Sequence, residues 1–196
     1  MLSLRAGLRL VLTAFALLAS LLVVSCKFGN STLDEANKID QSASQDKIEI
    51  EKIIQENKGK ESEITRALNA EDYETAKREM NDVISAIDRG LKRAESAAEK
   101  FNRASKLDID STIKEYLSYR AQSVNKAIEA FKELRKGIVA FRDAAGSKDK
   151  AVTEKAKTDV QQASQTFDTL ISEEQRLEDK ADDIARRNPD KIKPGK

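Results

Sequence analysis

Apolar residues recur every three or four positions from residue 33 to residue 184, and neither proline of the chain, Pro189 or Pro194, falls inside that stretch. A rhythm near 3.6 residues sustained over that length gives each segment one face to bury and excludes the two-residue alternation of strands. Composition points the same way. Charged residues make up 35% of the chain with both signs interspersed, aromatics 5%, and there is neither tryptophan nor histidine, as in long helices whose solvent faces carry ion pairs. The single cysteine permits no internal disulfide, so packing alone must hold the helices together.

Turn and cap signals divide the rhythm into four segments. In the first, Ala36, Ala43, Ile50 and Ile64 lie seven or fourteen residues apart, and Thr32 with Glu35 matches a capping box. The polar run 57–60 interrupts this stripe without changing its phase, which predicts one helix with a weak spot. Residues 69–72 read as a tight connection in which Asp72 caps the second segment, where Tyr73, Met80, Ile87, Ala94 and Phe101 repeat every seven residues. Residues 106–108 form the next junction, with Thr112 and Glu115 offering a second capping box. The third segment carries Ile113, Val124, Phe131, Ile138 and Phe141 and stops at Gly146. Ser147 and Asp149 start the fourth, whose stripe includes Val160, Phe167, Leu177 and Ala181 and ends before Pro189. Segments of roughly 35–40 residues reach about 55 Å each. The expected fold is all-α, an up-down-up-down antiparallel four-helix bundle over residues 32–188. The alternative keeps residues 33–68 as a stalk, or as a pairing surface for another molecule, over a three-helix bundle of residues 72–188. An oligomeric coiled coil would also use such heptads, but the connections cut the pattern into lengths that fold back.

Enzymatic chemistry has little to work with. Without histidine or a second cysteine, His-containing triads, Cys-His dyads and His-ligated metal sites are excluded. Asp108-Ile109-Asp110 lacks the glycine and closing glutamate of a calcium loop, and Gly59, Gly90 and Gly137 stand alone, so no phosphate-cradling loop is present. The reading is therefore a protein that is not an enzyme and has no cofactor, no metal and no nucleic-acid partner. Asp46 and Arg120 fall on the apolar faces of the first and third segments at similar height, with Glu173 near that level, which predicts an internal ion pair. In the alternative, Arg120 lays its methylenes on the core and reaches solvent.

The N-terminus is of a different kind. Arg5 and Arg9 precede an apolar run over residues 10–24, too short for a stable membrane span, followed by Ser25 and Cys26. That order describes a secretory signal peptide, and Val23-Val24-Ser25-Cys26 resembles the lipobox of bacterial lipoproteins. The resemblance covers residues 1–26 alone. It implies cleavage before Cys26, diacylglycerol on the Cys26 thiol and an amide-linked acyl chain such as palmitate. Ordinary cleavage after Ser25, leaving a free thiol, and an uncleaved anchor over residues 10–24 are the alternatives. Cleavage removes Arg5 and Arg9 and leaves 171 residues with 33 basic side chains against 34 acidic ones, enough for one domain.

The chain then divides into a signal peptide over 1–25, a lipidated linker over 26–31, a helical domain over 32–188 and a basic flexible tail over 189–196. In a bundle with an even number of antiparallel helices this tail leaves at the end where Cys26 lies. Arg186, Arg187, Lys191, Lys193 and Lys196 are thus candidates for contact with anionic headgroups, each adding up to about 1 kcal/mol near the surface; the alternative is a solvated terminus. Terminal Lys196 is also a one-residue analogy to lipoproteins joined through a C-terminal lysine to the cell wall. The functional expectation is a membrane-anchored, non-catalytic cell-envelope lipoprotein facing away from the cytoplasm and meeting an unidentified envelope protein, with residues 69–73 and 146–149 as its distal tip. Lys27 is not the aspartate that retains some lipoproteins at the inner membrane, so the resemblance implies outer-membrane delivery where a cell has one. The alternative function is a carrier or sensor that takes a small apolar ligand along the alanine-lined seam near Gly90 and Ala94.

Overall fold

The computed structural model describes residues 31–57 and 59–192, and among them every regular element is an α-helix. These are α1 (Ser31–Glu56), α2 (Lys60–Asn69), α3 (Tyr73–Ala104), α4 (Ser111–Ala144) and α5 (Lys150–Arg187). No helix among the described residues is long and apolar enough to cross a membrane.

The single first helix expected from the sequence is two. At Gly59 the backbone turns left-handed, with φ at 111°, and Lys60 N–H bonds the Asn57 carbonyl while Ser62 N–H bonds the Gly59 carbonyl. Glycine takes that conformation without the penalty a Cβ would bring. Unchanged phase in the apolar stripe thus does not require an unbroken helix. The remaining boundaries follow local chemistry. Asp72 accepts the Thr75 N–H at 3.1 Å and opens α3, and the connection before it is tight enough to hold Glu71 at φ 57°. The Thr75 hydroxyl, then its backbone N–H, lowers the Asp72 carboxyl below its ordinary range. Before α4 the cap is Asp110, which accepts the Thr112 N–H at 2.8 Å, so the expected capping box opening at Thr112 gives way to an acidic side chain two residues earlier. Asp149 plays the same part for α5, accepting the Ala151 N–H at 2.8 Å. α4 ends short of Gly146, where Ser147 N–H bonds the Ala144 carbonyl.

The residues form two compact units, and α3, α4 and α5 contribute to both. One is built from Glu51–Gly90 and Glu129–Thr169. Its core is aliphatic and aromatic: Ile64, Met80, Val83 and Ile87 are buried with Leu134, Ile138, Phe141 and Phe167. Phe131 and Phe167 meet edge to face, 6.2 Å between centroids. α4 and α5 come close at Gly137, where an added Cβ would lie 2.9 Å from the Ala163 Cβ. Gly137→Ala should therefore destabilise this unit by about 1–2 kcal/mol despite alanine's better helix propensity, and Ala163→Gly in the double variant should restore most of it, as read by urea unfolding. At its margin Lys60 bonds Glu79 and Asp82, Arg78 also reaches Glu79, and Arg135 grips Asp88 at 2.6 and 3.1 Å. The Glu79 bond, then Asp82, raises the Lys60 pKa, and Lys60 in turn lowers that of Glu79.

The second unit comprises residues 31–50, Leu91–Ile128 and 170–192. Its core is more mixed. Ile39, Leu91, Phe101, Ile113, Leu117 and Val124 are buried beside Asp40, Asp46, Arg120, Ser123, Glu174 and Glu178. Charged side chains reach such depth only when paired, and their concentration here marks this unit as the place to look for a site.

Candidate functional site

Two polar groupings occupy the second unit. The first centres on Arg120 of α4, which has no exposed surface. Its guanidinium pairs with the Glu178 carboxylate of α5 and lies over the rings of Phe101 and Tyr116, 5.8 and 5.9 Å from their centroids. The attraction is between charges and between charge and ring face, since none of the guanidinium nitrogens meets an acceptor with hydrogen-bond geometry among the described residues. One turn along α4, the buried Ser123 hydroxyl lies 2.9 Å from Glu178 Oε2 and 3.1 Å from Glu174 Oε1. Lys126 meets Glu173 at 3.0 Å on the exposed side.

The second grouping is built on Asp46 of α1. Its carboxylate accepts from Lys100 Nζ at 2.5 Å and from the Ser96 hydroxyl at 2.9 Å, and Arg93 lies 3.5 Å away. Lys100 also donates to the Ser42 carbonyl at 3.3 Å. Beside these residues runs an open groove of about 590 Å³, lined by Ser42, Gln45, Asp46, Ile48, Glu49, Arg93 and Lys100. Ile48 is half exposed, and the lining is otherwise polar.

Asp46 and Arg120 are both buried, as their place on apolar faces predicts, but they do not pair with each other. Asp46 takes its cations from α3, where Arg93 and Lys100 stand seven residues apart on one helix face, and Arg120 takes Glu178 from α5. Glu173, expected near their level, is half exposed, and the carboxylates at depth are its neighbour Glu174 and Glu178. The signal for them was present: Phe167, Glu174 and Ala181 are spaced by seven and all buried, whereas Leu177, assigned to the stripe, is only partly covered.

The basic C-terminus also departs from expectation. Residues 188–192 are not a loose tail but a hydrogen-bonded turn, with Ile192 N–H on the Asn188 carbonyl, the Ile192 side chain fully buried and Lys191 Nζ 2.8 Å from Asp110. Arg186 and Arg187 both face Asp183. Three of the five cations expected to meet headgroups therefore have carboxylates of this chain beside them, and Lys193 and Lys196 lie outside the described residues. Also outside are Cys26, the preceding Val23, Val24 and Ser25, and the Thr32 side chain.

Lys191, then the Thr112 hydroxyl and N–H, holds the Asp110 carboxyl at about 2, below its ordinary 3.8. A carboxyl lowered by folding contributes stability above its unfolded value and loses it as pH falls toward the folded one. The turn should thus release as pH drops from about 4 to about 2, seen as movement of the Ile192 methyl resonances, and Asp110→Ala should produce the same movement at neutral pH.

Among the described residues no three His, Cys, Asp or Glu side chains are grouped to hold a metal ion. No family model, no curated protein and no solved structure matches the chain.

Proposed function

We propose that this chain is a bacterial lipoprotein of the cell envelope, held to a membrane by acylation of Cys26 and acting without catalysis as a structural or protein-interaction module. The observation that carries the reading is the order of residues 5–26: two arginines, an apolar run over 10–24, then Val23-Val24-Ser25-Cys26 with the chain's only cysteine at the cleavage position. A cysteine retained alone in an exported chain has no partner for a disulfide, and acylation gives it a use. Attachment rests on the lipid rather than on the basic tail, because Arg186, Arg187 and Lys191 already face Asp183 and Asp110.

For the helical domain we infer the up-down-up-down four-helix bundle, with α1 and α2 together forming one leg. Helices α3, α4 and α5 of 32, 34 and 38 residues joined by short connections favour antiparallel neighbours. The non-catalytic reading is supported by the absence of histidine from the sequence and by the engagement of Asp46 with Lys100 and of Arg120 with Glu178 in ion pairs.

Expression in a bacterial host decides the matter. Metabolic labelling with a fatty-acid probe should mark the wild-type chain, which should fractionate with membranes, and Cys26→Ser should be unlabelled and leave the membrane fraction. An intact mass showing a bare Cys26 thiol, or maturation unaffected by an inhibitor of lipoprotein signal peptidase, overturns the proposal.

A further inference from the structure

We propose that the groove between α1 and α3 in the second unit is a binding site for a short peptide with both termini free, its carboxylate taken by Arg93 and its ammonium group by Glu49. The site is built on Asp46, whose carboxylate is buried beneath the groove it helps to line and is already held by Lys100 and the Ser96 hydroxyl. Lys100 alone balances that charge, so Arg93 brings a second cation over a single buried anion. Its contact with Asp46 is made by one Nη1 at 3.5 Å, the long limit for such a bond. A guanidinium carries five N–H donors in a planar fork, and the others meet no acceptor among the described residues. Such a fork, half exposed and lining a groove, matches the two oxygens of a carboxylate.

The α1 wall supplies the remaining chemistry. Ser42, Gln45 and Glu49 follow one another at three and four residues, so they lie along one helix face. None of their side chains has a hydrogen bond or ion pair among the described residues. The Ser42 hydroxyl and the Gln45 carboxamide each donate and accept, as peptide groups require, and the exposed Glu49 carboxylate is left for a cation. Ile48 beside them, one of two large apolar side chains exposed among the described residues, offers contact to an aliphatic side chain.

Glu49 also decides the class of ligand. Inorganic phosphate would meet like-charge repulsion there, whereas a zwitterion brings one charge for Arg93 and the opposite one for Glu49. The groove volume, about 590 Å³, is of the size that takes such ligands. None of this depends on acylation of Cys26.

Titration of the full chain in detergent micelles with tripeptides of alanine and leucine, followed by saturation-transfer NMR on the peptide, tests the site. Tripeptides with both termini free should bind saturably. Amidation of their C-terminus, or Arg93→Gln in the protein, should weaken binding at least about tenfold, the scale of one lost charge-assisted pair. Acetylation of the N-terminus and Glu49→Gln should each weaken it, and the two together should cost no more than either alone. Lys92→Gln, exposed and outside the groove, should leave binding unchanged. The blocked peptides probe the wild-type chain, so the outcome does not hang on a variant folding. Absence of saturable binding, amidated peptides that bind as tightly as free ones, unchanged binding in Arg93→Gln, or inorganic phosphate that binds more tightly than the tripeptides overturns the proposal.

Discussion

Arg120→Met is expected to weaken the second unit by about 3–5 kcal/mol, the scale for removing one partner of a buried ion pair. The loss comes less from the missing attraction than from the carboxylate left behind, since Glu178 would remain buried without its cation. A double variant with Glu178→Leu removes both charges, and methionine brings a thioether toward the Phe101 and Tyr116 rings that the guanidinium faced. It should recover most of the stability, as replacements of whole buried pairs by apolar residues do. Urea unfolding gives the numbers, and a double variant no more stable than the single one would show that the ring contacts of the guanidinium, not the ion pair, hold this core.

Phe167→Ala should have a comparable effect in the other unit, about 3–5 kcal/mol, by opening a cavity in an aliphatic core and removing the edge-to-face contact with Phe131. Location should distinguish the two variants. Hydrogen exchange read by mass spectrometry should show lost protection chiefly in residues 129–144 and 150–169 for Phe167→Ala, and in residues 111–128 and 170–187 for Arg120→Met. Uniform loss along the chain in both variants would mean that the units open together.

Helix content was legible in this sequence because heptad spacing and cap residues act locally. Asp72, Gly146 and Asp149 mark their helix ends through bonds spanning two to five residues, and the same rules place them in the chain and in the structure. The partners of buried charges were not legible. Periodicity fixes which way Asp46 and Arg120 face but not the axial offset between one helix and another, and it is that offset which decides that Asp46 meets Lys100 and Arg120 meets Glu178. Glu174 escaped notice because glutamate is so seldom buried that Leu177 looked the better core residue. Ile192 is the plainest signal passed over, the one large apolar side chain in a basic terminus and fully buried there.

The interruption at Gly59 has a mechanical corollary. Tension applied from the N-terminal side travels along α1 and arrives at the left-handed turn of Gly59, beyond which a separate helix begins. Immediately past that joint Lys60 is fastened to Glu79 and Asp82 of α3. A polypeptide hauled by its front end would accordingly strip α1 first, breaking the Asp46 contacts with Arg93 and Lys100 before the load reaches α2. In a stretching trace this would register as an extension step of its own, ahead of the release of α2.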